Sequence, residues 1–265
     1  VTMTTTNTTT TKGFGFYLRR LPPHTVKNGQ VLITRLKAAK ATWVSLMVEA
    51  EDGYVSPRSN IKDYGDDLVL AGFDVWVWTF PGSQRAASVQ QSEAAAILAV
   101  DYCKMVRGKG VMLDIEKAYR GKKESLNALV DKTISLAKNN NSQQQSLSVG
   151  FVSYPLPTLA KDIDWTCLKK CDFGSPMLYD TSKTKELVDR SMKEYTKYNK
   201  VWIPSLATYD TQAPGTEEVQ LKGDLDRVFE GNGDKGIKAA IFWSESTTSD
   251  KERKVIADYS DLLFI

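Results

Sequence analysis

The sequence predicts a single (β/α)8 TIM barrel, and three observations carry that expectation. Strand-like and helix-like stretches alternate eight times along residues 13–265, the rhythm of a parallel sheet. A length of 265 residues and 29.5 kDa suits one closed barrel of eight such units. An open doubly wound sheet would want a glycine-rich phosphate loop where a strand enters a helix, and no G-x-G-x-x-G or P-loop occurs at such a junction. Gly13-Phe14-Gly15 lies inside the first strand-like run and is not that loop.

The strands are read from runs rich in β-branched and aromatic residues. In order they fall at residues 13–18, 42–49, 73–79, 110–115, 147–153, 172–178, 201–206 and 238–243. Apolar residues at helical spacing predict helices over 30–40, 84–106, 123–139, 183–198, 217–230 and 249–263. The pattern is weaker over 60–71 and 158–170, which complete the alternation. Residues 1–12 are nearly all threonine, with neither the basic nor the apolar region of a targeting signal, and read as a disordered tail or linker. Such a tail could tie the barrel into a larger assembly. The compartment stays open, with secreted and virion-associated homes both compatible.

Composition narrows the function. The 35 Lys and Arg against 32 Asp and Glu leave a net charge of +3, too balanced for nucleic acid to be the default partner. No apolar run approaches the roughly 20 residues of a membrane-spanning helix, so no membrane partner is expected. Three cysteines, Cys103, Cys167 and Cys171, make no disulfide framework and are expected to be buried small hydrophobes. A single histidine, His24 in a Pro-rich turn, leaves little room for zinc or a His-based triad. No metal or other cofactor is expected. Charged residues on the helices, such as 122–124 and 193–197, read as solvated faces.

In a barrel the chemistry gathers at the carboxyl ends of the strands. Strand four ends Met112-Leu113-Asp114-Ile115-Glu116. Side chains alternate along a strand, so Asp114 and Glu116 share a face and point into the mouth while Leu113 and Ile115 meet the helices. Two inward carboxylates are costly as packing, and their repulsion would hold one protonated, as a general acid requires. The plainer alternative is a pair of strand-end carboxylates bonded to loop amides or a lysine. On strand two, Ser45, Met47 and Glu49 share a face, so Glu49 either looks into the mouth or serves structure, while Glu51 and Asp52 read as solvated loop. Strand six ends Met177-Leu178-Tyr179-Asp180, with Met177 and Tyr179 inward. Strand eight ends Trp243-Ser244-Glu245, and Trp78, Tyr154 and Tyr209 add aromatic surface near other strand ends. Six tryptophans give ample rings on which a sugar face can stack, though barrel cores also use them.

These residues carry a resemblance. Asp114-Ile115-Glu116 resembles the end of the acidic signature of family 18 glycoside hydrolases, the chitinase-like barrels. Met177-Leu178-Tyr179-Asp180 matches their M-x-Y-D motif on strand six, and Trp243 falls where they place a strand-eight tryptophan. The D-x-E also resembles that of the family 25 lysozymes, which cleave peptidoglycan. The resemblance implies a hydrolase for N-acetylhexosamine-containing polysaccharide or oligosaccharide, chitin-like or peptidoglycan-like, working by substrate-assisted retention. Glu116 would protonate the glycosidic oxygen, and Asp114 and Tyr179 would orient the sugar's own N-acetyl group. Asp180 would hold the acetamido region or the next sugar, Trp243 would floor the pocket, and Glu49, Trp78, Glu245, Tyr154 and Tyr209 would contribute to substrate binding. Two departures stand out. Met112 takes the inward place of a family 18 aspartate, and strand one lacks the carboxylate of family 25. The alternative function is therefore a carbohydrate-binding barrel without catalysis, serving recognition or structure.

Overall fold

The computed structural model describes residues 12–139, 146–179, 184–198, 201–208, 217–229 and 238–263. The threonine-rich tail, and any assembly role read from it, therefore lies outside the described residues apart from Lys12. Nine parallel segments form one sheet: β1 (Gly13–Leu18), β2 (Trp43–Glu49), β3 (Asp74–Thr79), β4 (Gly110–Ile115), β5 (Ser148–Ser153), β6 (Phe173–Leu178), β7 (Val201–Trp202), β8 (Ser205–Ala207) and β9 (Ala239–Trp243). Segments β7 and β8 are two halves of one stave, since both pair with β6. Pro204 between them cannot donate to the ladder, yet its carbonyl accepts from Ile241 N and Ile203 N donates to Gly174 O. Pairing of β1 with β9, and of β5 with β6, closes the sheet into an eight-stave (β/α)8 barrel.

Among the described residues seven α-helices cover it: α1 (Val26–Ala38), α2 (Arg58–Leu70), α3 (Val89–Met105), α4 (Lys123–Lys138), α5 (Thr184–Tyr195), α6 (Glu217–Phe229) and α7 (Asp250–Leu263). Their starts follow capping chemistry rather than apolar spacing alone. Thr25 accepts from Asn28 N at 3.1 Å, so α1 begins four residues before the apolar pattern suggests. Ser88 accepts from Gln91 N and starts α3, which leaves Arg85–Ala87 as a separate 3₁₀ turn. The expected helix over 158–170 is instead two 3₁₀ pieces, Pro157–Leu159 and Trp165–Lys170. Pro157, and Asp164 capping Thr166 N, favour short turns there.

Strand alternation divides the core in two. Phe14, Phe16, Leu18, Val44, Leu46, Val75, Val77, Val111, Leu113 and Ile115 face the helices. Tyr17, Trp43, Met47, Trp76, Trp78, Met112, Val152, Phe173 and Ile241 fill the barrel interior. Each such large side chain contributes about 1.5–3 kcal/mol when removed from water. Interior aromatics need small neighbours. A Cβ on Gly15 would meet the Trp43 ring at 2.3 Å, one on Gly110 the Trp76 ring at 2.3 Å, and one on Gly150 the Phe173 ring at 2.1 Å. Large rings thus fit because glycine stands beside them on the neighbouring staves. All three cysteines are buried, and burial pushes the Cys103 and Cys167 thiols up to about 12.

Candidate active site

At the carboxyl end of β4 the two carboxylates emerge as the alternation requires. Val111, Leu113 and Ile115 go to the helix layer, and Met112 is buried in the interior beneath Asp114. Asp114 and Glu116 line one cleft of about 210 Å³ together with Met177, Tyr179, Trp78 and Trp243. Four of these residues, Asp114, Glu116, Tyr179 and Trp243, are the ones the D-x-E, M-x-Y-D and strand-eight motifs singled out. They come from β4, β6 and β9, so only barrel closure brings them together.

Aromatic rings make the floor. Trp78 is buried and stands edge-on to Trp243, with centroids 5.2 Å apart. Tyr17 packs on both, at 5.5 Å from Trp78 and 5.4 Å from Trp243. Tyr179 lies 6.5 Å from Trp243 in a tilted arrangement. Trp243 is half-buried, which leaves part of its ring surface open, and the peptide bond from it to Ser244 is cis. The Tyr17 hydroxyl meets Ser205 Oγ at 3.2 Å, and Ser205 Oγ meets Ser175 Oγ at 2.8 Å, a row of hydroxyls inside the barrel.

The electrostatics are those of crowded acids. Asp114 is buried, and its Oδ1 has no hydrogen-bond partner among the described residues. Burial first, then the charges of Glu116 and Glu51, raise its carboxyl well above the usual range. Glu116 is partly exposed. Its pKa is raised by burial and by Glu51, against an opposing pull from Lys117. Burial and the Glu116 charge also raise Tyr154, whose ring centre lies 5.3 Å from the Arg120 guanidinium and which is not among the residues that line the cleft.

Two further expected residues, Glu49 and Glu245, also lie outside the cleft. The β2–β3 ladder shifts register between Met47, opposite Trp78, and Glu49, opposite Thr79. That β-bulge turns Glu49 off the inward face and brings Ala50 into the interior cluster. Glu49 is buried outside the cleft, where its Oε1 accepts from Arg85 Nε at 2.7 Å. Glu245 also turns away. It opens a 3₁₀ turn capped by Ser244 and accepts from Arg253 Nη2 at 3.1 Å, which ties the end of β9 to α7. Asp180 and Tyr209 lie outside the described residues.

Sequence reasoning also missed residues that line the cleft. Glu51, taken as solvated loop, stands in its wall because of the bulge, and Arg19, Arg20 and Phe80 join it. The bulge has no local signature, so nothing nearby in sequence marks Glu51. Tyr17, buried in the interior against Trp78 and Trp243, could have been found, since Phe14, Phe16 and Leu18 leave it the inward place on β1. His24 bonds Asp67 Oδ2 at 2.8 Å from the turn before α1. Among the described residues no group of three or more His, Cys, Asp or Glu side chains is arranged to hold a metal ion.

The sequence matches no protein-family model and no curated protein. Solved structures do match. A GH18 chitinase from Pseudoalteromonas aurantia superposes with a TM-score of 0.66 at 13% identity, covering 94% of this chain and 99% of that one. A chitinase from Bacteroides thetaiotaomicron gives 0.70 at 8% identity, covering 96% of each chain. The Bacillus cereus spore cortex-lytic enzyme SleL gives 0.64 at 10% identity over 93% of this chain and 74% of its own. The chain shares the (β/α)8 barrel fold of these enzymes.

Proposed function

We propose that this barrel hydrolyses N-acetylhexosamine-containing glycans, with Glu116 as general acid. The observation that supports it most is Asp114 and Glu116 side by side at the end of β4, in a cleft floored by Trp243 and Trp78. A raised pKa lets Glu116 keep its proton into the range where it must give it up. In the reaction the Glu116 proton goes to the glycosidic oxygen as the bond from that oxygen to the anomeric carbon breaks. The acetamido oxygen of the same sugar closes onto the anomeric carbon from the opposite face. Asp114 accepts the acetamido N–H through a carboxyl oxygen, and Tyr179 supplies a hydroxyl near the acetamido oxygen. The positive charge of the cyclised intermediate opposes the burial that raises the Asp114 pKa in the free protein, so its ionised form is favoured there and balances that charge. Water then opens the ring at the anomeric carbon while the Glu116 carboxylate takes a proton from it, giving net retention.

A binding-only barrel is the second reading, and one observation favours it. Met112 is apolar directly beneath Asp114, and the Asp114 Oδ1 atom lacks a partner among the described residues, so no acid below shares its proton. The test is turnover on chitin oligomers, cell-wall fragments and plain β-glucans, with Glu116→Gln alongside. Hydrolysis of the N-acetylated substrates alone, lost in Glu116→Gln while binding persists, supports the enzyme. Oligosaccharide binding without turnover, equal in wild type and variant, supports the binding module.

A further inference from the structure

A second cavity, about 430 Å³, opens beside the cleft and shares two of its wall residues, Glu51 and Asp52. Its far wall is Ser83, Gln84, Arg85 and Gln91. Arg85 is held rather than loose. Its Nε donates to the buried Glu49 at 2.7 Å, and its carbonyl accepts from Ser92 Oγ at 2.9 Å. Ser92 in turn meets the Tyr119 hydroxyl at 3.3 Å. With Nε engaged, the two terminal nitrogens of the guanidinium have no protein partner among the described residues. The two loops that form the groove approach closely, since a Cβ on Gly82 would fall 1.9 Å from the Glu51 carbonyl oxygen. A preorganised donor fork on a rigid loop is how a binding site is built, not how a surface arginine is usually left.

The lining chemistry selects the ligand. Glu49 is paired with Arg85, Asp52 with Arg20 and Glu51 with Lys117 at 3.5 Å, so the groove offers a carboxylate or phosphate no uncompensated positive charge. Donors (Arg85, Gln84, Gln91, Ser83) facing acceptors (Glu51, Asp52) suit a neutral group rich in hydroxyls and amides. Among the described residues no aromatic ring lines the groove, so recognition rests on hydrogen bonds instead of stacking. We propose that this groove binds a further N-acetylated sugar of the glycan chain that occupies the cleft, with the Arg85 fork on its acetamido carbonyl. The inference rests on the glycan reading above and extends it from the reacting sugar to a distant one.

Calorimetric titration tests it, with N-acetylglucosamine oligomers of two to six units and glucose oligomers of matching length as probes. The background is Glu116→Gln, which prevents turnover. Affinity for the N-acetylated series should rise at least tenfold from the shortest to the longest oligomer. Arg85→Lys, which keeps a cation beside Glu49, should remove most of that gain, and so should Gln84→Ala with Gln91→Ala, which leaves the Glu49 pair intact. The proposal is overturned if either variant weakens all lengths equally, if lengthening brings no gain, or if the long glucose oligomers bind as tightly. If no oligomer of any length binds, the glycan reading fails together with the groove.

Discussion

Trp78 and Trp243 meet edge to face at the bottom of the cleft, ring planes at 73° to each other, and the two are buried to very different degrees. Trp78 is 1% exposed and packed among interior side chains, whereas Trp243 keeps part of its ring surface open. Their truncations should therefore separate. Trp78→Ala should cost about 3–5 kcal/mol of stability as a large core deletion, read as a lower denaturant midpoint. Trp243→Ala should cost less stability and should abolish most oligosaccharide binding. Equal stability losses with unchanged binding would remove Trp243 from the floor.

Glu51 should set the pH range of activity. Its charge raises both Asp114 and Glu116, so Glu51→Gln should lower both pKa values. A general acid works while it is protonated, and the alkaline limb of kcat/KM follows its loss of the proton. That limb should move to lower pH in Glu51→Gln. It should move to higher pH in Lys117→Gln, because Lys117 opposes the rise at Glu116. Shifts of the same sign in both variants would contradict this arrangement.

Asp114 also links stability to pH. Its folded pKa is raised, so between the unfolded value near about 4 and the raised one the folded state holds more protons. The stabilisation is full below that window and is lost as pH rises through the raised pKa. Asp114→Asn cannot ionise, so the variant should gain thermal stability relative to wild type as pH increases from about 4 to 8. Parallel melting curves across that range would show that the carboxyl is not strained by burial.

The interior glycines predict a packing defect. Gly150→Ala places a methyl 2.1 Å from the rigid Phe173 ring, and should destabilise by roughly 1–3 kcal/mol. Gly121→Ala meets nothing within 4 Å, but its φ of +67° makes its cost a backbone one. A second substitution, Phe173→Leu, should recover part of the Gly150→Ala loss and none of the Gly121→Ala loss, measured by urea unfolding.

Much of this was legible in the sequence. Alternation along residues 110–116 put Asp114 and Glu116 on the inward side, and the order of the D-x-E, M-x-Y-D and tryptophan motifs put them at one end of a barrel. These readings needed only the two-residue period of a strand and the rule that barrel function lies at the carboxyl ends. The split stave at Pro204 and the 3₁₀ pieces after β5 changed local form without moving the cleft.

What the sequence determined by itself was the frame: eight staves, an inward acid pair, aromatic rings at the mouth and Met112 below them. Only the tertiary structure decided which neighbouring acids share the cleft. A single extra residue on β2 exchanged Glu49 for Ala50 on the inner face and brought Glu51 to the wall. That register is held by distant partners. Ser56 donates to the Met47 and Val48 carbonyls, Phe80 N donates to Glu49 O, and Arg85 takes the displaced carboxylate. The period of a strand is local and can be read along the chain, while a bulge exists because groups far along the chain satisfy what it displaces.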